Sequence, residues 1–240
     1  MKKPLKIAVW GFSIVIGLLI IAVSLFYLKF RSITKEMIPA ETAAINDSVW
    51  CIKDGFANAY LFKGKSSYLL VDAGISKKKF KAQMDKVGIS PEQVTTLLLT
   101  HSDTDHTGAI PLFTNATVYM HREEEQMING TKSKIKFLKS SWAYGPYQLL
   151  DDSDSLVFDG LKVKIILTPG HTEGSSCYVI GDDYLLTGDN LVYKDGKYGP
   201  FVDFFNMDTP RQKESIKNLP APENFKYLLT SHHGYLVVGK

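Results

Sequence analysis

The 240-residue sequence has little cysteine: Cys51 and Cys177 stand far apart, with no Cys-x-x-Cys spacing. That excludes a thiolate zinc knuckle and a dense disulfide framework. Both read as buried thiols in strands, and a disulfide between them would require an oxidising compartment. There is no Gly-x-Ser-x-Gly motif, so the activated serine of an α/β-hydrolase is missing. Internal repeats and low-complexity tracts are absent as well. Acidic residues are missing from the first 35 positions, where Lys2, Lys3, Lys6, Lys29, Arg31 and Lys35 stand unopposed. The remainder holds 22 basic and 25 acidic residues. The overall pI of 8.6 thus reports this basic N-terminus, and no nucleic-acid partner is expected.

Between those basic flanks, Ile7 to Leu28 runs 22 residues without a charge. As a helix it would span roughly 33 Å, enough for a hydrocarbon core of about 30 Å. Trp10 and Tyr27 stand near its ends, where interfacial aromatics collect. The reading is an uncleaved single-pass membrane anchor. A signal peptide ending near Ala22-Val23-Ser24 is the competitor, but the apolar run continues past that point. The flanking charges are nearly balanced, and the short N-terminal tail favours placing the rest of the chain outside the cytoplasm. Residues 1–30 are therefore assigned to the tail and anchor, 31–46 to a linker, and 47–240 to one catalytic domain.

Histidine is also scarce, and its six copies are not scattered. His101-Ser102-Asp103-Thr104-Asp105-His106 follows the apolar run Val94 to Leu99; His171 follows Pro169-Gly170; His232-His233 precedes Gly234. Only His121 stands apart, and it is assigned to structure or surface. Imidazole and carboxylate donors on a loop leaving a buried strand suit a hard-to-borderline divalent cation. Two further stretches, Val71-Asp72-Ala73-Gly74 and Thr187-Gly188-Asp189-Asn190, likewise follow apolar segments.

In this order the five motifs resemble those of the metallo-β-lactamase-fold superfamily of metal-dependent hydrolases, over about Val49 to Gly234. The resemblance implies an α/β fold, the four-layer αββα sandwich, preceded here by the membrane helix. It further implies one metal on His101, Asp103 and His171, a second on Asp105, His106 and His233, Asp189 bridging the two, and Asp72 supporting the site from behind. Gly234 makes His233 the better match than His232. Asp103 departs from the usual HxHxDH pattern, and a carboxylate there widens the choice of the two divalent ions from zinc towards iron or manganese. Asp189 stands where zinc β-lactamases of the best-known class carry cysteine, so β-lactamase activity is not expected.

The resemblance implies a hydrolase in which a hydroxide shared by two metals, oriented by Asp105, cleaves the ester, thioester or lactone bond of a small-molecule substrate. With six residues after Gly234, the helical region with which glyoxalase II enzymes bind glutathione is not expected, nor is that specific activity. A phosphodiesterase or nuclease, an iron-dependent redox enzyme and a non-catalytic membrane-tethered binding module are the alternatives. Residues 131–150 combine lysines with aromatics and read either as a lid, through Lys136 and Trp142, or as an amphipathic helix on the core. Tyr193 opens an aromatic stretch with Tyr198, Phe201, Phe204 and Phe205 that reads as pocket lining or as core.

Strands are expected at Val49–Lys53, Ala57–Phe62, Tyr68–Val71, 94–99, Thr117–Met120, Leu156–Phe158, Leu161–Thr168, Ser175–Ile180, Tyr184–Leu186 and Tyr227–Leu229. Helices are expected at Ser76–Val87, capped by Ser76, at Asp208–Leu219, and starting over Gly108–Phe113.

Overall fold

The computed structural model describes residues 3–134, 141–194 and 197–238, with side chains from Phe12 onward. The chain divides at residue 38 into two units. The first is a single helix, α1 (Lys3–Thr34), which runs six residues past the end of the charge-free stretch. Its Phe12–Thr34 portion is long and apolar enough to cross a membrane. Phe12, Leu18, Leu25 and Leu28 are each about three-fifths exposed, so this stretch of the helix is apolar all round.

The second unit starts at Pro39 and alternates short strands with few helices. Strands β1 (Ala43–Asn46), β2 (Val49–Asp54), β3 (Ala57–Lys63) and β4 (Tyr68–Val71) form an antiparallel meander. Helix α2 (Lys77–Lys86) then crosses over to β5 (Val94–Leu98), which pairs parallel with β4. After the helical turn α3 (Thr104–Thr107), β6 (Thr117–His121), the short α4 (Glu125–Ile128) and β7 (Tyr147–Leu150) complete a seven-stranded sheet in sequential order. Next come β8 (Ser155–Phe158), β9 (Leu161–Leu167), β10 (Ser176–Ile180) and β11 (Tyr184–Leu186). A separate ribbon, β12 (Leu191–Lys194) with β13 (Lys197–Pro200), precedes α5 (Thr209–Lys217). The last strands are β14 (Tyr227–Leu229) and β15 (Tyr235–Val237), and the second sheet is ordered β15-β14-β11-β10-β9-β8.

Alternation along the strands explains the layers. In β3, Tyr60 and Phe62 point between the sheets and meet Tyr178, Ile180 and Leu229 of the second sheet, whereas Ala59 and Leu61 point outward to Phe80 and Met84 of α2. Cys177, Leu185 and Leu228 face outward on the second sheet, against Ile216 and Leu219 at the end of α5. The result is the expected αββα sandwich. Cys51 lies in the inter-sheet core and Cys177 in the outer one; both are free, buried thiols, and burial pushes each up to about 12. Phe80 and Met84, four residues apart, give α2 its buried stripe, and Ser76 caps it by accepting from the Lys79 amide.

The structure departs from the expected elements at several points. Part of the expected linker, Ala43–Asn46, is a strand paired with β2. The aromatic stretch after Asp189 is partly the β12–β13 ribbon, and β15 follows the last expected strand. The expected helix over Gly108–Phe113 is only a 3-10 turn at Ile110–Leu112, because the helical turn has already been spent at Thr104–Thr107, inside the His/Asp motif.

The topology puts chemistry on one rim. Strands β4 and β5 run parallel, as do β11 and β14, and β9 points the same way as β11 across the antiparallel β10. The carboxyl ends of these strands release Asp72, His101, His171, Asp189 and His232 along that rim.

Candidate metal centre

Asp72 leaves β4 with φ 61°, in the left-handed region that aspartate tolerates better than most residues. Its backbone N–H donates to Leu98 O at 2.9 Å, and its carboxylate accepts from Thr100 N at 2.9 Å and Thr100 Oγ1 at 2.9 Å. The same carboxylate accepts from His106 Nδ1 at 2.9 Å. The loop carrying His106 is docked on the loop carrying Asp72 by the pairs Ala73 N to His106 O at 2.7 Å and Gly108 N to Gly74 O at 2.8 Å. Position 108 must be glycine, since a Cβ there would stand 2.0 Å from Ile75 O.

The other imidazoles are fixed in the same way. Thr100 Oγ1 gives its proton to Asp72, so it accepts from His101 Nδ1 at 3.0 Å. His171 Nδ1 donates to Asn206 Oδ1 at 3.0 Å, and His232 Nδ1 donates to Phe56 O at 2.8 Å. Asn206 is itself held by Gln212, whose Nε2 also donates to Asp189 O at 2.9 Å. In all four rings the Nδ1 proton is therefore spoken for, and the Nε2 lone pair faces inward.

What the lone pairs face is carboxylate. Asp189 is central, its oxygens lying 3.1 Å from His232 Nε2, 3.3 Å from His106 Nε2, 3.4 Å from His171 Nε2 and 3.9 Å from His101 Nε2. Asp103 Oδ2 is 3.1 Å from His171 Nε2, and Asp105 Oδ2 is 3.5 Å from His232 Nε2. His106 Nε2 and Asp189 Oδ1 are buried and make no hydrogen bond despite their proximity, and the Nε2 atoms of His171 and His101 approach to 3.1 Å. Acceptor facing acceptor in a water-excluded site is unfavourable until a cation enters. Three groups have donor atoms within 4.8 Å of one another: His101–Asp103–His171, His101–His106–Asp189 and Asp105–His106–His232. The residues present thus fit divalent cations of the zinc, iron or manganese type.

The electrostatics differ from ring to ring. Burial, reinforced by the Lys134 ammonium, pushes His171 down to about 4, so this ring stays neutral. Burial alone would raise the carboxyls of Asp189 and Asp103, but surrounding imidazoles in the first case and Lys134 in the second hold both well below the usual range. Burial likewise opposes charge on His106, yet Asp72, Asp189 and Asp105 raise it well above the ordinary histidine value, so this ring takes up a proton at Nε2 that a bound cation would displace.

Of the residues singled out in the sequence, the structure brings His101, Asp103, Asp105, His106, His171 and Asp189 together, with Asp72 directly behind. It does not bring in His233. His232 takes that place, its ring stacked on Phe201 at 5.2 Å and lying 5.7 Å from Phe56, while His233 is half-buried and outside every donor group. The reason is the turn: Gly234, at φ 66°, folds its carbonyl back to accept from Thr230 N at 3.0 Å, and the glycine serves that turn and not the ligand beside it. Trp142 is not at the site either, since it packs edge-on against Tyr144 and Tyr147 on the outer core of the first sheet. Lys136 lies outside the described residues. Tyr193 pairs with Tyr198 across the β12–β13 ribbon.

The sequence reading missed several contributors. Glu124 is fully buried and accepts from Ser102 N at 2.7 Å, Ser102 Oγ at 2.5 Å, Thr172 Oγ1 at 2.6 Å and Gly174 N at 3.1 Å. It thereby ties the loop of His101 and Asp103 to the loop of His171. A Cβ at Gly174 would lie 2.0 Å from Glu124 N, so only glycine permits this approach. Phe201 packs against both His171, at 5.4 Å, and His232. Nothing in the run Glu123-Glu124-Glu125 marks its middle member as the buried one.

The sequence model of the Metallo-beta-lactamase superfamily matches residues 52–232. The chain is 25% identical over 186 residues to the probable metallo-hydrolase YqgX of Bacillus subtilis, covering 74% of this chain and 85% of that one. It is 29% identical over 132 residues to the probable polyketide biosynthesis zinc-dependent hydrolase BaeB of Bacillus velezensis, covering 54% and 52%. A hydroxyacylglutathione hydrolase of Glaesserella parasuis is 26% identical over 177 residues, covering 72% and 64%, so the chain spans only about half to two thirds of these last two relatives. Among solved structures, a B3 metallo-β-lactamase with an active-site glutamic acid superposes with a TM-score of 0.67 at 16% identity, covering 85% of each chain. The chain therefore belongs to the metallo-beta-lactamase superfamily and is one of its metallo-hydrolases.

Proposed function

We propose that this metallo-hydrolase is dinuclear and cleaves a thioester or a related carboxylic ester or lactone, working at a membrane to which α1 anchors it. The observation that carries the metal reading is the set of four imidazoles, each with Nδ1 engaged outside and Nε2 aimed inward at Asp103, Asp105 and Asp189. His101, Asp103 and His171 would hold one ion and Asp105, His106 and His232 the other, with Asp189 between them. Zinc is the first assignment, and the carboxylate of Asp103 admits iron or manganese. When bound, such ions polarise the scissile carbonyl and make hydroxide available near neutral pH.

The chain's own residues do the rest. The Asp105 side chain, 19% exposed, keeps access to solvent and would accept a proton from the attacking water. Phe201, itself buried, packs against His171 and His232 and holds the two rings in place. The polyketide-pathway hydrolase and the hydroxyacylglutathione hydrolase among the relatives support an acyl substrate.

The test is elemental analysis of the detergent-solubilised full chain, purified without chelator or metal-affinity resin, alongside a screen of thioesters, esters, lactones and phosphodiesters. About two ions per chain, with acyl hydrolysis lost on chelation and regained on adding zinc, is expected. Less than one ion after reconstitution would defeat the dinuclear reading. Cleavage of phosphodiesters alone would move the substrate class.

A further inference from the structure

The first of the two sites contains a cation of the protein's own. Lys134 Nζ pairs with Asp103 Oδ2 and lies 2.8 Å from His171 Nε2, so the ammonium sits among two of the three donors of the His101–Asp103–His171 group. His171 can only accept there, because its Nδ1 proton goes to Asn206. The Lys134 side chain is 25% exposed and that of Asp103 28%, so the pair stands at the solvent-facing edge of this group.

Lys134 is delivered by an anchored segment. Lys132 N donates to Gln126 O at 2.8 Å, Thr131 N to Asn129 Oδ1 at 2.9 Å, and Lys132 Nζ to Glu173 Oε1 at 2.8 Å. Glu173 is also bound by Arg211 at 2.7 Å and neighbours Thr172, so the turn before Lys134 is clamped to the loop that carries His171. The departure at position 103 gains a partner by the same token: a carboxylate there forms an ion pair with an ammonium group, which an imidazole could not do. The second site differs, since its His232 is flanked by the rings of Phe201 and Phe56.

We propose that Lys134 is the resident cation of the first site, holding Asp103 and His171 until a divalent ion displaces it, so that the two sites load in order with the Asp105–His106–His232 site first. The inference rests on the metal reading above. A divalent ion entering the first site must break the contacts of Lys134 to Asp103 and His171, whereas the described contacts of the second site's donors are to histidine and carboxylate. The enzyme would then pass through a one-metal form over a range of metal concentration, and Lys134 would set that range.

The experiment is a titration of metal-free full-length protein in detergent with Co²⁺, read by d–d absorption, and with Zn²⁺ against a competing chelator. Wild type is expected to bind in two phases. Lys134→Met, which keeps the unbranched stem and removes the charge, is expected to tighten the second phase by about tenfold or more and leave the first unchanged. Lys134→Arg retains a cation and should keep the second phase weak, and Lys77→Met, at an exposed position of α2, should also leave it weak. Circular dichroism of each metal-free variant checks that folding is retained. Identical two-phase isotherms for wild type and Lys134→Met would overturn the inference alone. Absence of binding in either protein would overturn the metal reading and this inference with it.

Discussion

At the residue scale the centre is a study in which nitrogen of each histidine is free. Asp72, Thr100, Asn206 and the Phe56 carbonyl each take an Nδ1 proton, and that leaves four Nε2 lone pairs to meet the carboxylates. The exchange of His232 for His233 follows from the same logic, because only His232 has an outside acceptor at 2.8 Å, while His233 Nδ1 is buried with no hydrogen-bond partner. His232→Ala should therefore cost one ion per chain, or lower affinity at that site by at least about 100-fold, measured by elemental analysis and chelator competition. His233→Ala should retain the full metal content. The opposite pattern would restore the assignment that sequence adjacency to Gly234 suggests. Six of the seven clustered donor residues were legible through the resemblance of the five motifs to those of the superfamily, each motif following an apolar strand. The seventh was not, since the choice between adjacent histidines depends on how a five-residue turn closes, and that is decided by Thr230, Gly234 and the Tyr60 hydroxyl bound to both of their carbonyls.

At the scale of elements, two carboxylates hold loops that secondary structure leaves unsupported. Glu124, at the entrance to α4, satisfies four donors from two ligand loops in the site's interior; burial pushes its carboxyl up, against those donors. Glu124→Gln keeps the shape but turns an NH₂ group towards a pair of donors. It should destabilise the fold by about 1–3 kcal/mol, a fall of roughly 2–4 °C in Tm per kcal/mol for a chain of this size, measured by thermal melting. An unchanged Tm would show that the loops are held by other contacts.

The second is Asp159, in the β8–β9 turn at the opposite edge, which accepts from Ser66 N at 2.8 Å and Ser67 N at 2.7 Å in the β3–β4 turn. Those backbone donors pull its carboxyl down to about 2. A carboxyl whose folded value is depressed stabilises the fold above its unfolded value, about 3.9, and that contribution is lost as pH falls towards 2. The Tm of wild type should thus exceed that of Asp159→Asn at pH 6, and the gap should close between about pH 4 and pH 2. Both ties are long-range, 22 to 50 residues apart around Glu124 and 92 to 93 around Asp159, so no local pattern announces them. The same holds for β1 and β15, three or four residues long, which become strands only by pairing with β2 and β14. The long apolar strands and α2 were legible because their own periodicity identifies them.

At the scale of the molecule, the two units present opposite surfaces to their surroundings. From Pro39 onward apolar side chains are sorted into three buried layers, whereas from Phe12 to Leu28 they lie open, with Ile14, Val15, Leu18, Leu19, Leu25 and Leu28 all more than half exposed. Twenty-three residues of helix span about 35 Å, slightly more than a hydrocarbon core, and the exposed face would otherwise have to be met by water at roughly 25 cal/mol per Å². A lipid bilayer removes that penalty without any protein partner. If α1 is an anchor, the full-length chain should sediment with membranes, resist extraction at high pH and high salt, and release only into detergent. Intact-mass measurement of the membrane fraction should find the chain still carrying residues 1–38. A mature chain beginning after residue 24, in a soluble fraction, would make α1 a signal sequence instead, and the metal centre would then act free in solution. Orientation is read from the same preparation: if the domain lies outside the cytoplasm, an epitope placed after Lys240 should be removed by protease added to intact cells, and its protection would put the metal centre on the cytoplasmic face.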